Sequence, residues 1–315
     1  MNARSLFRTP PPPVALEITS RHVAAVVLHG GGGSIRVAAY AVEPLPEGAV
    51  VPALNSPNLV HAREVEQAVR RTFERLGHRP RRVGLVIPDA AAKVSFVRFE
   101  RIPARRSDLE EMVRFQVRKA APFRIDDSQV AYCRGSRLSE GHEFVVVQAR
   151  RDIVAEYELV CQAAGAAAGA VDLATLGVVN AVLAAGGVPD GDWLLIHVSA
   201  DAASLVIMRG DAPVFFRHRG ADGDGHLSDL VHQTAMYYQD RLGGRGFSRA
   251  LVSGRLPESR SGAGRAALEA RLRVPIDQID PTRAVPLADR ITPGWELVDA
   301  LTPAIGLSLA MRMGT

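Results

Sequence analysis

Glu17 and His197 are the residues whose types and settings first suggest chemistry. Glu17 lies in VALEITSRHVAAVVL (14–28) and His197 in LLIHVSADAASLVIM (194–208), some 180 positions later. Each is the polar centre of an apolar strand that breaks at a short polar turn and leads to a second strand. A carboxylate at a strand end can organise hydrated Mg²⁺, and an imidazole can act as a base or a pH-sensitive group. Laid together, the stretches put Glu17 on His197, Thr19 on Ser199, Ala24 on Ser204 and Leu28 on Met208. Each copy continues through a glycine-containing turn into a third strand, 34–42 in the first and VFFRHRG in the second. The spacing predicts a duplicated β-hairpin–β unit followed by helices.

Other polar sets carry less. DGDG (222–225) lacks EF-hand spacing and a terminal bidentate Glu, so it reads as a turn. Ser253-Gly254 has no G-x-S-x-G around it. His226 and His232 are six apart and do not face each other on a helix. HGGGGS (29–34) lies between two strands rather than before a helix N-terminus, which favours a hairpin turn over a phosphate loop. No nucleophile–base–acid arrangement is found, and neither catalytic residues nor a metal site are expected.

The elements that must position Glu17 and His197 follow from periodicity. Strands are expected at 14–19, 23–29 and 34–42, and a helix over 61–77, where Val65, Val69, Phe73 and Leu76 recur and Gly77 closes. RVGLVIP (82–88) and KVSFVRFERIP (93–103) read as strands, the second partly apolar on both faces. SDLE at Ser107 reads as a capping box, with Ser107 as N-cap and Glu110 at the third helical position. That helix should end near Lys119 or Ala120, before Pro122. Strands follow at 128–134 and 143–150, then a helix over 152–168. The run 163–188 is long enough to span a membrane but is mostly Ala and Gly with Asp172 in its middle. A helix end, a short buried strand near 169–173 and a second helix explain it better.

The 315 residues are 47% hydrophobic with a net charge of +4, enough for substantial cores and too mildly charged for a disordered chain. Lysine occurs only at Lys93 and Lys119. RPRR (79–82) is the one tight basic cluster. Without interleaved aromatics it does not argue for nucleic acid, and it would suit an acidic membrane surface or partner equally. Cys133 and Cys161 are expected to be buried thiols of a reducing cytoplasm. The N-terminus lacks the apolar core of a signal peptide, so a soluble protein is expected.

Five segments in order carry a resemblance to a known family. They are VALEITSRHVAAVVL; VGLVIPDAAAKVSFVRFERIP with DLEEMVRFQVRKAAPFRIDD; WLLIHVSADAASLVIMRGDAPVFFRHRG; SRALVSGRLPE; and TPAIGLSLAMR. Together they resemble PilM, the cytoplasmic type IV pilus assembly protein related to FtsA. The resemblance implies an α/β, actin-like (RNase-H-like) bilobal fold with an FtsA/PilM-type inserted subdomain. It implies a flexible leader (1–13), a first-lobe core (14–82), the insertion (83–160), a lobe connection (161–190), a second lobe (191–284) and a C-terminal segment returning to the first lobe (285–315). The second lobe passes directly from its third strand to a helix, so its small upper subdomain is reduced or missing.

The departures bear on the nucleotide. Where the family has Asp-Ile-Gly, a Ser-rich turn and a Lys, this chain has Glu17, Ile18, Thr19, Ser20 and Ala24. The second Asp-x-Gly becomes His197, Val198 and Ser199, and Gly-Gly at the adenosine becomes Gly254-Arg255. Glycine permits close approach to phosphate, a carboxylate organises Mg²⁺ and a lysine neutralises charge. The site is therefore expected to be degenerate and no cofactor is favoured, ATP with Mg²⁺ being the doubtful exception.

The family resemblance further implies a scaffold that holds the short cytoplasmic tail of a PilN-like membrane partner in a groove beside the insertion. Phe96, Phe99, Arg114, Arg118 and Lys119 are the groove candidates, set against a core role for the phenylalanines and a solvated face for the arginines. Peripheral placement at the inner membrane and self-association into a ring or filament would go with that role. The alternative is a working actin-like ATPase with Glu17 organising metal and the Ser199 turn holding phosphate. A sugar-kinase relative lacks a catalytic Asp between the lobes. The type II secretion protein GspL explains much of the same sequence but needs a transmembrane segment.

Overall fold

The computed structural model describes residues 11–30, 35–136, 138–186, 190–220, 227–256, 263–288 and 294–313. Most of the leader, glycines 31–33, DGDG and His226 lie outside the described residues. Strand β1 (Val14–Ile18) is buried throughout, as a central strand must be. It pairs antiparallel with β2 (His22–His29), which pairs with β3 (Arg36–Pro44). On its other side it runs parallel to β4 (Arg82–Ile87), and β4 pairs with β8 (Ala167–Leu173), giving the order β3-β2-β1-β4-β8.

The second half repeats this with β9 (Asp192–Val198), β10 (Ala202–Arg209), β11 (Ala212–Gly220), β12 (Arg249–Ser253) and β13 (Ile276–Gln278), in the order β11-β10-β9-β12-β13. The duplication extends to the register. Glu17 faces Ala24 and Val86, and His197 faces Ser204 and Ser253. Both second strands carry an irregularity at the same place, Val27/Leu28 and Ile207/Met208. Only six residues separate β11 from the next helix, too few for an inserted subdomain.

Helices cover both faces of each sheet. Helices α1 (Ala62–Leu76) and α3 (Arg151–Ala163) pack on the face of Leu16 and Ile18, and α8 (Thr302–Met313) on the face of Ala15 and Val26. Helix α1 buries Val65, Val69, Phe73 and Leu76 and closes on left-handed Gly77, as its spacing predicts. In the second lobe α5 (Leu227–Leu242) and α6 (Ala263–Leu272) cover one face and α4 (Ala174–Ala184) the other. Helices α4 and α8 thus lie between the lobes and pack on each other.

Between β4 and β8 the chain builds a third sheet, β5-β7-β6, from β5 (Ala92–Phe99), β6 (Ser128–Arg134) and β7 (His142–Arg150). Helix α2 (Arg106–Arg118) lies on one face, over Val97, Phe144 and Val146. Residues 83–87, read above as the start of the insertion, belong with Arg82 to a strand of the first sheet, and the third sheet begins at Ala92. The Ser107 capping box does not form. Arg105 is the extended N-cap, so Ser107 already lies inside the first turn, where its hydroxyl bonds Asp108. The run 163–188 resolves into the end of α3, β8 and α4, and among the described residues no helix is long and apolar enough to cross a membrane. Cys161 is buried as expected, but Cys133, at the edge strand of the third sheet, is exposed.

Candidate functional site: the cleft between the lobes

The ends of β1 and β9 point into one cleft of about 800 Å³. Glu17, Thr19, Ser20, His197, Ser199, Gly254 and Arg255 all line it, so the two hairpins do converge. Ala24 does not line it. It is fully buried on the sheet face packed by α8.

The first turn closes on itself. The Thr19 hydroxyl accepts from the N–H groups of Arg21 (3.2 Å) and His22 (2.9 Å) and donates to the His22 carbonyl. Those N–H groups are the ones a phosphate-binding turn would offer to a ligand. The second turn is tied likewise, with the Ser199 N–H and hydroxyl both donating to the Ala202 carbonyl at 2.9 and 3.1 Å. At the third position Gly254 is in the left-handed region (φ 88°), and a β-carbon there would lie 1.9 Å from the Val198 carbonyl oxygen. Its N–H donates to both oxygens of Asp299 (2.8 and 3.0 Å), and Ser253 donates to the same carboxylate. Arg255 is exposed and pairs loosely with Glu296 at 3.8 Å.

Asp89, in a short 3₁₀ turn just after β4, joins the lobes. It accepts from the Thr175 N–H (3.1 Å) and hydroxyl at the start of α4, and from the Ser204 hydroxyl (2.7 Å) on β10. Ser204 also lies 3.0 Å from His218 Nδ1 on β11. Ser204 is the second-lobe counterpart of Ala24, and at this position the second lobe carries a tie between the lobes. Sequence reasoning missed Asp89, Asp299 and His218. The one available signal was an Asp directly after Pro88 at the end of an apolar strand.

The electrostatics follow from burial. Glu17 has no hydrogen-bond partner among the described residues, and desolvation, helped by Asp89 and Asp299, pushes its carboxyl well above the usual carboxylate range. Burial lowers the His197 imidazole against the pull of the same two carboxylates, and its Nδ1 has no partner. Burial likewise lowers His218 and His22.

These groups do not fit a magnesium nucleotide. The Arg21, His22, Ser199 and Gly254 amides are already bonded, no lysine lines the cleft, and Glu17 disfavours its charged form. Among the described residues no set of three His, Cys, Asp or Glu could hold a metal ion.

The five groove candidates are not brought together. Phe99 packs on Phe144 (6.0 Å between ring centres) beneath α2, a core role. Phe96 lies on the opposite face of β5, half-buried, facing Val145. Arg114 donates to the Ile125 carbonyl (3.0 Å), while Arg118 and Lys119 are exposed on the α2 side. Phe115, 65% exposed one turn before Arg118, went unremarked in the sequence.

Comparison with known proteins places this geometry. The family model for the type IV pilus assembly protein PilM matches residues 15–240. No curated protein matches the chain. Among solved structures, a PilM–PilN type IV pilus biogenesis complex aligns with a TM-score of 0.79 at 18% identity, over 96% of this chain and 99% of that one. A Bacteroides thetaiotaomicron protein of actin-like ATPase fold gives 0.53 at 9% identity, covering 85% and 90%. The cytoplasmic domain of EpsL, an inner-membrane component of the type II secretion system of Vibrio cholerae, gives 0.51 at 11%, covering 96% and 94%. At these identities the structural likeness establishes the actin-like fold.

Proposed function

This chain belongs to the PilM family of type IV pilus assembly proteins, and from that membership we propose that it serves as a scaffold that does not hydrolyse ATP. It holds the short cytoplasmic tail of a PilN-like membrane protein, which keeps it at the inner membrane, and it assembles there with further copies of itself. The observation that carries the nucleotide-independent reading is the Thr19 turn, whose hydroxyl occupies the N–H groups of Arg21 and His22. A triphosphate would have to displace those bonds with no lysine to compensate.

For the tail, the similarity to a PilM–PilN complex supports a PilN-like partner. We place the tail beside the third sheet, on the face that presents Phe96, where an extended peptide can bury an apolar side chain. The test is calorimetric titration of the full chain with Mg·ATP and, separately, with the N-terminal peptide of a PilN-like protein from the same genome. Binding of the peptide, weakened by Phe96→Ala, without Mg·ATP binding at millimolar concentration supports the reading. Micromolar Mg·ATP binding, on the order of −8 kcal/mol, would restore the actin-like ATPase alternative.

A further inference from the structure

Helix α2 carries an aromatic ring on the side that the fold does not use. Its buried residues are Val113 and Val117, which pack with Val97, Phe144 and Val146 of the third sheet. At 3.6 residues per turn Phe115 stands about 160° around the helix from each of them. It is therefore at the centre of the outward face, and it is 65% exposed. Arg118 and Lys119, three and four positions on, share that face. Both are exposed, and neither side chain makes a hydrogen bond or ion pair among the described residues. By contrast, Arg70, Arg75, Arg98, Arg150, Arg209 and Arg249 are each paired with a carboxylate.

More positive charge gathers at the same end of the helix. Lys93, the chain's only other lysine, reaches from β5 to donate to the Ala120 carbonyl, 27 residues away. Arg114 donates to the Ile125 carbonyl and so holds the following loop against α2. Arg124 in that loop is exposed, with Asp127 at 3.9 Å. The opposing carboxylates here are Asp126 and Asp127, so Lys93, Arg118, Lys119 and Arg124 outnumber them two to one. Glu111 and Asp108 share the Phe115 face but lie one and two turns earlier. The outward face is thus acidic at its start, and basic with an aromatic ring at its end.

We propose that the C-terminal end of α2 rests on an anionic lipid surface, with Phe115 entering the headgroup layer and the surrounding cations facing the lipid phosphates. An extended peptide wants a groove or a free sheet edge, and a nucleic acid wants a basic stripe with interleaved aromatics. A single ring projecting among cations suits a broad, soft surface that needs no matching pocket. The cytoplasmic leaflet of a membrane carries negative charge and attracts such clusters. One ring and a few cations make a weak, reversible contact by themselves. The contact lies on the face of the third sheet opposite Phe96, so it does not compete with the proposed tail site. A chain already tethered by that tail would gain from it through effective concentration.

The inference rests on the proposed position at the inner membrane for where the contact is made, but its test needs no partner. The full chain is sedimented with vesicles of phosphatidylcholine alone, and of phosphatidylcholine with about one-third phosphatidylglycerol. The expected result is saturable binding to the anionic vesicles at millimolar lipid, none to the neutral ones, and loss of binding in about 0.5 M salt. Arg118→Gln with Lys119→Gln should weaken it roughly 25-fold, fivefold per cation, and Phe115→Ser roughly fivefold. All three positions are exposed, so both variants should unfold at the parent's temperature, which separates a lost contact from a lost fold. No binding at millimolar lipid, equal binding to neutral vesicles, or indifference to both variants overturns the proposal. Tighter binding to polyglutamate or duplex DNA than to anionic vesicles, lost on the same substitutions, also overturns it and assigns the patch to an acidic macromolecule. Tail binding is read separately by calorimetry. A chain that binds vesicles but not the tail peptide refutes only the partner reading, and the reverse refutes only this one.

Discussion

Gly306 of α8 and Gly177 of α4 meet backbone to backbone between the lobes. A β-carbon on Gly306 would lie 1.7 Å from the Gly177 carbonyl oxygen, and one on Gly177 would lie 2.5 Å from the Pro303 oxygen. Helix propensity alone favours alanine at either position by about 1 kcal/mol. Sterics decide here, because the obstacle is main chain and no rotamer can yield. Gly306→Ala should lose about 3 kcal/mol or more, seen as a lower denaturant midpoint. A variant as stable as the parent would show that the helices do not cross at this distance.

Asp89 ties the lobes through Ser204. Ser204→Ala copies the first lobe's alanine and removes one bond, for about 1 kcal/mol. Asp89→Ala strands the Thr175 N–H as well and should cost about 2–3 kcal/mol. Hydrogen exchange should rise in β10 and at the start of α4 in both variants, and more in the second. Equal effects of the two substitutions would place the tie elsewhere.

Asp172 gives stability a pH dependence. Its carboxyl titrates at about 6, pushed up chiefly by desolvation and also by Asp89, against 3.8 for an ordinary aspartate. The unfolded chain therefore releases this proton first as pH rises. The contribution of Asp172 is neutral below about pH 4, becomes destabilising between 4 and 6, and stays so above. Asp172→Asn, which can still accept from the Leu173 N–H, should gain about 1–2 kcal/mol at pH 7 and nothing at pH 3.5. Denaturation at the two pH values measures this, and an equal gain at both would contradict it.

The segment leading into α1 is held by Asn58, which is fully buried. Its side chain donates to the Ala53 and Ser56 carbonyls (2.8 Å each) and accepts from the Tyr157 hydroxyl (3.0 Å), while Glu156 accepts the Asn58 and Leu59 N–H groups. Tyr157→Phe should cost about 1 kcal/mol and Asn58→Ala about 2–3. Limited proteolysis should then cut first between Val50 and Asn58. Cleavage elsewhere first would mean that the segment is held by other contacts.

The hairpins and their pairing were legible because strand alternation and a repeated polar centre are local signals. The register of Glu17 with His197 followed from matching Ala24 to Ser204 and Leu28 to Met208, and both sheets bear it out. What local reading missed was brought in from a distance. Asp299 reaches Gly254 from 45 residues away and Asp89 reaches Ser204 across 115, and no periodicity encodes either. Strand β5 is apolar on both faces because one packs under α2 and the other holds Val94 against the first lobe. Alternation put Phe96 and Phe99 on opposite faces but could not say which face is core. The Ser107 box failed because the extended Arg105 began the helix two residues early.

Strand β11 touches both the Asp89 turn at the cleft and β5 of the third sheet. A ligand in the cleft and a peptide on the third sheet, if both bind there, would bear on this one strand. If either shifts that strand, each alters the affinity of the other by the same factor, since linkage is reciprocal. Coupling of this kind needs no nucleotide turnover for one surface to report what has arrived at the other.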